Sequence, residues 1–198
     1  MGVDMRPMLI SAKRHLAPLV GAMILSRAGP TLALAQTEGP TPTESGADRA
    51  NRLLKAMGGR RAWAAVDTVI IEATHFAMDP PTRYVNRIVN DLTRPRVRFE
   101  AHAPEWDRWA NIDGETGLYR RDNEPTVPRS AERIAEDNEW WKANFYRTLR
   151  RLAKNDPTLE LHAVGDDRLE IFTADGPLNW FRLNTDGAPV MFGSGSNE

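Results

Sequence analysis

The sequence predicts an α+β fold: a strongly curved antiparallel β-sheet, an incomplete barrel, wrapping one long helix, with short helices ahead of it. Three observations predict it. Ser130 to Lys154 is the only long stretch with a clear helical period, and short segments of period two lie on both sides of it. The segments after it are separated by brief glycine-containing turns, so neighbours in sequence are expected to pair antiparallel.

Within the helical stretch, Ile134, Trp141, Phe145, Leu149 and Leu152 form one apolar stripe that also includes Asn138, and charged residues fill most of the remaining surface. Ser130 can cap the first free amides, and Asn155-Asp156-Pro157 ends the helix. Acidic residues gather early and basic ones late, the order that the helix dipole favours. Laid on the concave side of a sheet of about seven to nine strands, this helix should bury Trp141, Phe145 and Leu149 almost completely, together with Val97 and Phe99. Trp140 and Trp141 are about 100 degrees apart around a helix, so one of the two must lie at the edge of the stripe, where it could form a pocket rim.

The 198 residues hold 26 Lys+Arg, 27 Asp+Glu and no cysteine, with 41% hydrophobic residues. One ordinary globular domain fits these totals. Near-neutral charge gives no electrostatic case for nucleic acid, and the lack of cysteine excludes disulfides, a thiol nucleophile, cysteine-ligated zinc and a lipid-bearing cysteine.

At the amino terminus, Arg6, Lys13, Arg14 and His15 precede the apolar run Leu16 to Leu25, and Ala33-Leu34-Ala35-Gln36 follows. A basic region, an apolar core and a small-x-small ending make a secretory signal cut after Ala35; a mitochondrial-type presequence is the competing reading. Arg27 keeps the run well short of the roughly 20 residues that span a bilayer, so no transmembrane anchor is expected in the mature form. Removal of the leader takes Arg6, Lys13, Arg14 and Arg27 but only Asp4, leaving a mildly acidic, periplasmic or secreted chain. Its organisation reads as a signal over 1–35, a flexible lead-in over 36–46, a single curved-sheet domain over 47–192 and a polar tail over 193–198.

Asp48 to Met57 predicts a short helix stopped by Gly58-Gly59, and Arg60 to Val66 adds a turn or two carrying Trp63. Thr68 to Phe76 and Arg83 to Asn90 are the first strands. Val69, Ile71 and Ala73 share one face while Ile70 and Phe76 take the other, which suggests a strand covered on both sides. Pro80-Pro81 between the two strands argues for a projecting loop. Arg96 to Ala103 alternates Val97, Phe99, Ala101 and Ala103 with Arg96, Arg98, Glu100 and His102, the pattern of a sheet with one wet side. Trp106 to Arg121 reads as a hairpin around Asp113 to Gly117, and Asp122 to Arg129 as a loop. Beyond the helix, Leu159–Ala163, Leu169–Thr173, Leu178–Leu183 and Pro189–Phe192 form a meander.

Catalytic and metal motifs are absent from the sequence: there is no phosphate loop, no serine elbow and no His-Glu-x-x-His, and His75, His102 and His162 fall on different strands. Neither a metal nor a cofactor is expected. Asp107, Asp113 or Glu115 with His102 could support a small hydrolase, but carboxylates beside turns are usually only solvated. Aromatic weight stands out instead. Trp63, Phe99, Trp109, Trp140, Trp141, Phe145 and Trp180 are the candidates to line an apolar cavity, with simple core filling as the alternative.

The secretory leader, the short helix ending in Met57-Gly58-Gly59 with Trp63 close behind, the successive strands, the inserted helix and the closing meander over Asp175 to Phe192 together resemble the layout of the periplasmic lipoprotein-carrier superfamily, the LolA and LolB type. The resemblance covers residues 46–192 as a layout and transfers no individual site residue. It implies a curved sheet plugged by helices around an apolar cavity that holds acyl chains, and the missing cysteine argues against the membrane-anchored receptor of that superfamily. A cone-shaped domain of the nuclear-transport-factor and ketosteroid-isomerase type is the competing fold, although it places its long helices before most of its strands. The expected function is noncatalytic binding or carriage of an apolar or acyl-bearing ligand, a lipid or the acyl chains of a lipoprotein. The alternatives are a structural or protein-interaction domain with an envelope-protein partner, and the small hydrolase.

Cleavage is directly testable. The mature protein made in its native host should have the mass of a chain beginning at Gln36; a product beginning at Met1, Met5 or Met8 would overturn the leader.

Overall fold

The stripe expected on one helix is divided between two. In the computed structural model, which describes residues 44–78 and 81–195, Ala131–Lys142 (α3) and Phe145–Ala153 (α4) are separate helices. Ser130 caps α3 by accepting from the Arg133 amide, as the sequence suggests. At the end of α3, Ala143 leaves the helix and buried Asn144 starts the next one, its side-chain oxygen accepting from the amides of Tyr146 (3.0 Å) and Arg147 (3.2 Å). The carbonyl of Ala143, freed by the break, accepts from the side-chain amide of Asn179 at 2.8 Å, and Asn179 Oδ1 accepts from the Thr148 hydroxyl at 2.6 Å. The freed carbonyl and two of the first amides of α4 thus find partners within the protein. It was hidden in the sequence because a two-residue interruption leaves the apolar spacing almost unchanged.

Each helix serves its own sheet. Thr68–Met78 (β1), Pro81–Asp91 (β2), Arg96–Ala103 (β3), Trp106–Asp113 (β4), Thr116–Arg121 (β5) and Val127–Pro128 (β6) form a six-stranded antiparallel sheet in sequence order. Glu160–Val164 (β7), Arg168–Thr173 (β8), Gly176–Leu183 (β9) and Pro189–Ser194 (β10) form a four-stranded one. Gly46–Ala56 (α1) and Arg60–Ala65 (α2) precede both. The chain is thus α+β with antiparallel sheets. The expected single sheet wrapping one long helix is replaced by two sheets, and no closed barrel forms among the described residues.

Two cores result. Leu149 and Leu152 of α4 meet Leu53 and Leu54 of α1 and Leu169, Ile171, Phe181 and Leu183 of the four-stranded sheet; Phe145 packs against the same cluster half-buried. Arg49, 2% exposed, ties α1 to the β7–β8 turn by donating to the carbonyls of Val164, Gly165 and Arg168. The second core is smaller: Val97 and Ile112 of the six-stranded sheet meet Ile134 and Trp141 of α3, with Ile88 alongside. Trp141 Nε1 donates to the Asp91 carbonyl at 2.6 Å. The expected deep burial holds for Trp141, Leu149 and Val97, while Phe145 and Phe99 are half-buried.

Other expectations change at strand ends. Met78 faces Pro81 in register, so β1 and β2 come within two residues of each other and no long loop projects; Asp79 and Pro80 lie outside the described residues. Pro81 is tolerated because it opens its strand. Ile70 and Phe76 are exposed, so β1 is covered on one face only. Gly46 belongs to α1, where a Cβ would fall 2.2 Å from the Leu161 carbonyl oxygen, and Gly193 and Ser194 extend β10 instead of forming a tail. The Trp180 ring lies where a Gly193 side chain would stand. The leader, its cut after Ala35, residues 36–43 of the lead-in and residues 196–198 lie outside the described residues. No helix among the described residues is long and apolar enough to cross a membrane.

Two stability measurements follow. Asn144→Ala should cost about 0.5–2 kcal/mol in urea unfolding, the range for a lost N-cap, and Asn144→Ser should recover most of it; equal losses in the two variants would show that the cap is not what holds the break. Asp156, just past α4, gives a pH dependence. Burial raises its pKa, but donation from Arg151 Nε and from the Thr158 hydroxyl and amide outweighs burial and holds the carboxyl at about 2. Because the folded value is depressed from 3.8, the stabilisation is complete above about pH 4 and is lost as pH falls through about 2. The stability gap between wild type and Asp156→Asn should therefore be about 2 kcal/mol at pH 7 and shrink towards zero near pH 2; a gap independent of pH would contradict this.

Candidate functional site

Alternation along β2 to β5 places one side chain from each strand in a continuous row. Ile88 faces Phe99, Phe99 faces Ala110 and Ala110 faces Tyr119, so four strands contribute a single apolar floor about 14 Å across. Val97 and Ile112 form the adjoining row and carry α3. Above the first row the helix does not close down. Arg133, Asp137 and Trp140, at successive turns of α3, stand over a cleft of ≈ 710 Å³, and Pro128, Arg129 and Ser130 make its end wall.

The cleft is apolar below and charged around its rim. Arg129 is held by its own amide, which donates to the Gly117 carbonyl at 3.0 Å, and its side chain packs over Gly117, where a Cβ would come within 3.0 Å of it. Its guanidinium is ion-paired with Asp137, and its Nε, buried, has no acceptor. Arg133 pairs with Glu136 on the helix surface. Arg108 also lines the cleft, with its guanidinium 4.8 Å from the Trp106 ring centroid. Trp140, 46% exposed, forms part of the rim, whereas Trp141, 7% exposed, is sealed against Asp91. Over Trp141 lies Arg147, its guanidinium 4.1 Å from the ring centroid; burial and the neighbouring Arg151 push its pKa down to about 10.

Of the seven aromatic residues that the sequence suggests for a cavity, Phe99 and Trp140 line this cleft, and the other five are distributed elsewhere. Trp141 belongs to the core beneath α3. The helix break carries Phe145 to the other core, 5.6 Å from Phe181 and 5.2 Å from Phe192 between ring centroids. Trp63 stacks on Tyr146 at 6.0 Å and donates to the Met57 carbonyl, fixing α2 to α4. Trp180 is buried in the four-stranded sheet. Trp109 lies on the opposite face of the six-stranded sheet, near Arg98. The residues the sequence did not single out are Ile88, Ala110 and Ile112, which face Phe99 or Val97 in register, Tyr119, which faces Ala110, Arg108 in the next row, and Arg129 of the end wall. Alternation extended from β3 into β2, β4 and β5 would have found the first four.

A second, polar depression lies at the far end of β3 and β4. His102 Nδ1 is 2.5 Å from Asp107 Oδ1, and Arg120 is 3.3 Å from Asp107 Oδ2. Asp113 is ion-paired with Arg96 at 2.5 Å, and Glu115 sits on the β4–β5 turn, so neither joins that pair. His75 stacks on Tyr84 and His162 contacts Glu160. No group of three metal-ligating side chains forms among the described residues. Comparison with family models, with curated proteins and with solved structures returned no match to this chain.

Proposed function

We propose that this chain, after export, binds an apolar or acyl-bearing ligand noncovalently in the cleft between the six-stranded sheet and α3. The observation that carries the proposal is the row Ile88, Phe99, Ala110 and Tyr119, which four strands hold in register beneath a helix that leaves it open. A close-packed interior leaves few voids larger than a water molecule, whereas ligand pockets enclose about 300–1,000 Å³. The cleft, at ≈ 710 Å³, belongs with the pockets. An apolar floor with a charged rim suits a ligand that has a greasy body and a polar end. Such chemistry agrees with the lipoprotein-carrier resemblance of the layout, and the secretory leader would place the protein in the periplasm or outside the cell.

One observation favours a second reading, an envelope interaction domain. Ile70 and Phe76 of β1 and Val85 of β2 are exposed on the face away from α3, and β1 is an edge strand of the sheet, whose unpaired backbone groups can take up a strand of a protein partner. Catalysis has less support. His102 and Asp107 meet in an open, polar depression, and the aromatic and apolar side chains that would hold a substrate lie on the other face.

Native mass spectrometry of the detergent-free mature protein, followed by titration with a fluorescent acyl probe while tryptophan emission is monitored, separates these readings. A carrier should show saturable quenching. Because Trp140 is on the rim and contributes no buried core, Trp140→Ala should leave folding intact and weaken the probe about tenfold, equivalent to roughly 1.4 kcal/mol. Absence of saturable binding at micromolar probe would leave the interaction reading in its place.

A further inference from the structure

We propose that the cleft selects a single-chain amphiphile with one negative charge, a long-chain carboxylate, and that Arg108 receives its head. This rests on the reading of the cleft as an apolar-ligand site and adds the chemistry of the ligand's polar end. Arg108 stands directly opposite Arg121 across β4 and β5, on the same face as the apolar floor. Like charges in directly opposed positions destabilise a sheet, so this pair has a cost that needs a compensating anion. Arg121 has one, Asp122 at 3.5 Å. Arg108 has no carboxylate partner among the described residues; its only partner is the face of Trp106.

The remainder of the lining adds to the same field. Three guanidinium groups, Arg108, Arg129 and Arg133, face one carboxylate, Asp137, and Arg129 already holds that carboxylate. Arg133 is balanced by Glu136, outside the lining. Arg108 is thus the cation left over, two residues along β4 from Ala110 and on the same side, about 7 Å from the floor row. A chain lying along Ala110, Phe99 and Ile88 brings its end group to that guanidinium, whose planar fork binds a carboxylate through two parallel hydrogen bonds. One unbalanced cation matches the single charge of a carboxylate better than the charge of about −1.5 to −2 on a phosphate monoester.

Displacement of the bound fluorescent acyl probe from the full mature chain by dodecanoate, dodecanol and dodecyl phosphate tests the assignment. Dodecanoate should displace the probe at about one tenth of the dodecanol concentration. In Arg108→Gln that advantage should fall to about twofold or less with dodecanol unchanged, and Arg108→Lys should keep part of it. Unchanged dodecanol affinity serves as the check that each variant is folded, and the comparison in wild type stands without any variant. Equal displacement by dodecanoate and dodecanol, or a preference that survives Arg108→Gln, would overturn the role of Arg108 while leaving the apolar site intact. A stronger effect of dodecyl phosphate would overturn the carboxylate. If none of the three displaces a probe that binds, or the probe itself does not bind, the apolar-ligand reading fails as well.

Discussion

The arrangement depends on one buried amide. Asn179, 1% exposed on β9, donates to the Ala143 carbonyl and accepts from Thr148, so it satisfies both sides of the junction between α3 and α4. Without such a partner the freed carbonyl would be buried and unpaired, at a cost of about 1–3 kcal/mol, and a continuous helix would compete. With it, the helix ends at Ala143 and restarts at Asn144, so the apolar stripe changes direction. Ile134 and Trp141 go to the six-stranded sheet, and Phe145, Leu149 and Leu152 go to the four-stranded sheet. Two sheets can then each have a helix from one short insertion.

Most of the elements were legible in the sequence because their signals are local. Alternation located β3, turn residues located the β4–β5 hairpin and the final meander, and Ser130 marked the start of α3. The division into two sheets was not legible. Asn144 and Asn179 are 35 positions apart, and neither stands out from an ordinary polar residue until the fold brings them together. The same limit explains the site. Aromatic residues attract notice because they are large, but Trp63 and Phe145 pack on the core of the four-stranded half and Trp180 is buried on the other face of that sheet, while the cleft floor depends equally on Ala110, whose small side chain leaves the space that Phe99 and Tyr119 border. Register was the missing information, and register is a property of pairs of strands, not of any one segment.

The two faces of the six-stranded sheet divide the labour. The face away from α3 carries a ladder of charge in which Arg87 contacts Glu72 and Glu100 across β1 to β3, while Arg98 reaches Glu100 and His102 reaches Asp107. Exposed pairs of this kind are worth about 0–1 kcal/mol each, so their main effect is to keep that face hydrated and to oppose pairing with other sheets. The face towards α3 has fewer charges, and Arg108 and Arg121 occupy the row next to the apolar floor.

The larger core and the open cleft consequently lie in different halves of the domain. The cluster under α4 joins ten buried residues, with Leu53, Leu149, Leu169, Ile171 and Phe181 wholly or almost wholly inaccessible; the cluster under α3 has four. The smaller core also includes polar residues that it does not satisfy: Asn90 is fully buried on β2, with neither side-chain atom hydrogen-bonded, and Asn86 Oδ1 is in the same condition. Each such group costs about 1–3 kcal/mol, so the half that holds the cleft is the one with the smaller margin. Elements that open for a ligand are drawn from regions of low local stability. α3 is held to the six-stranded half by a few polar ties, Asp137 on Arg129, Asn138 on the Gly114 carbonyl and Trp141 on the Asp91 carbonyl, while the Asn179 junction and the Asn144 cap of α4 separate it from the four-stranded core.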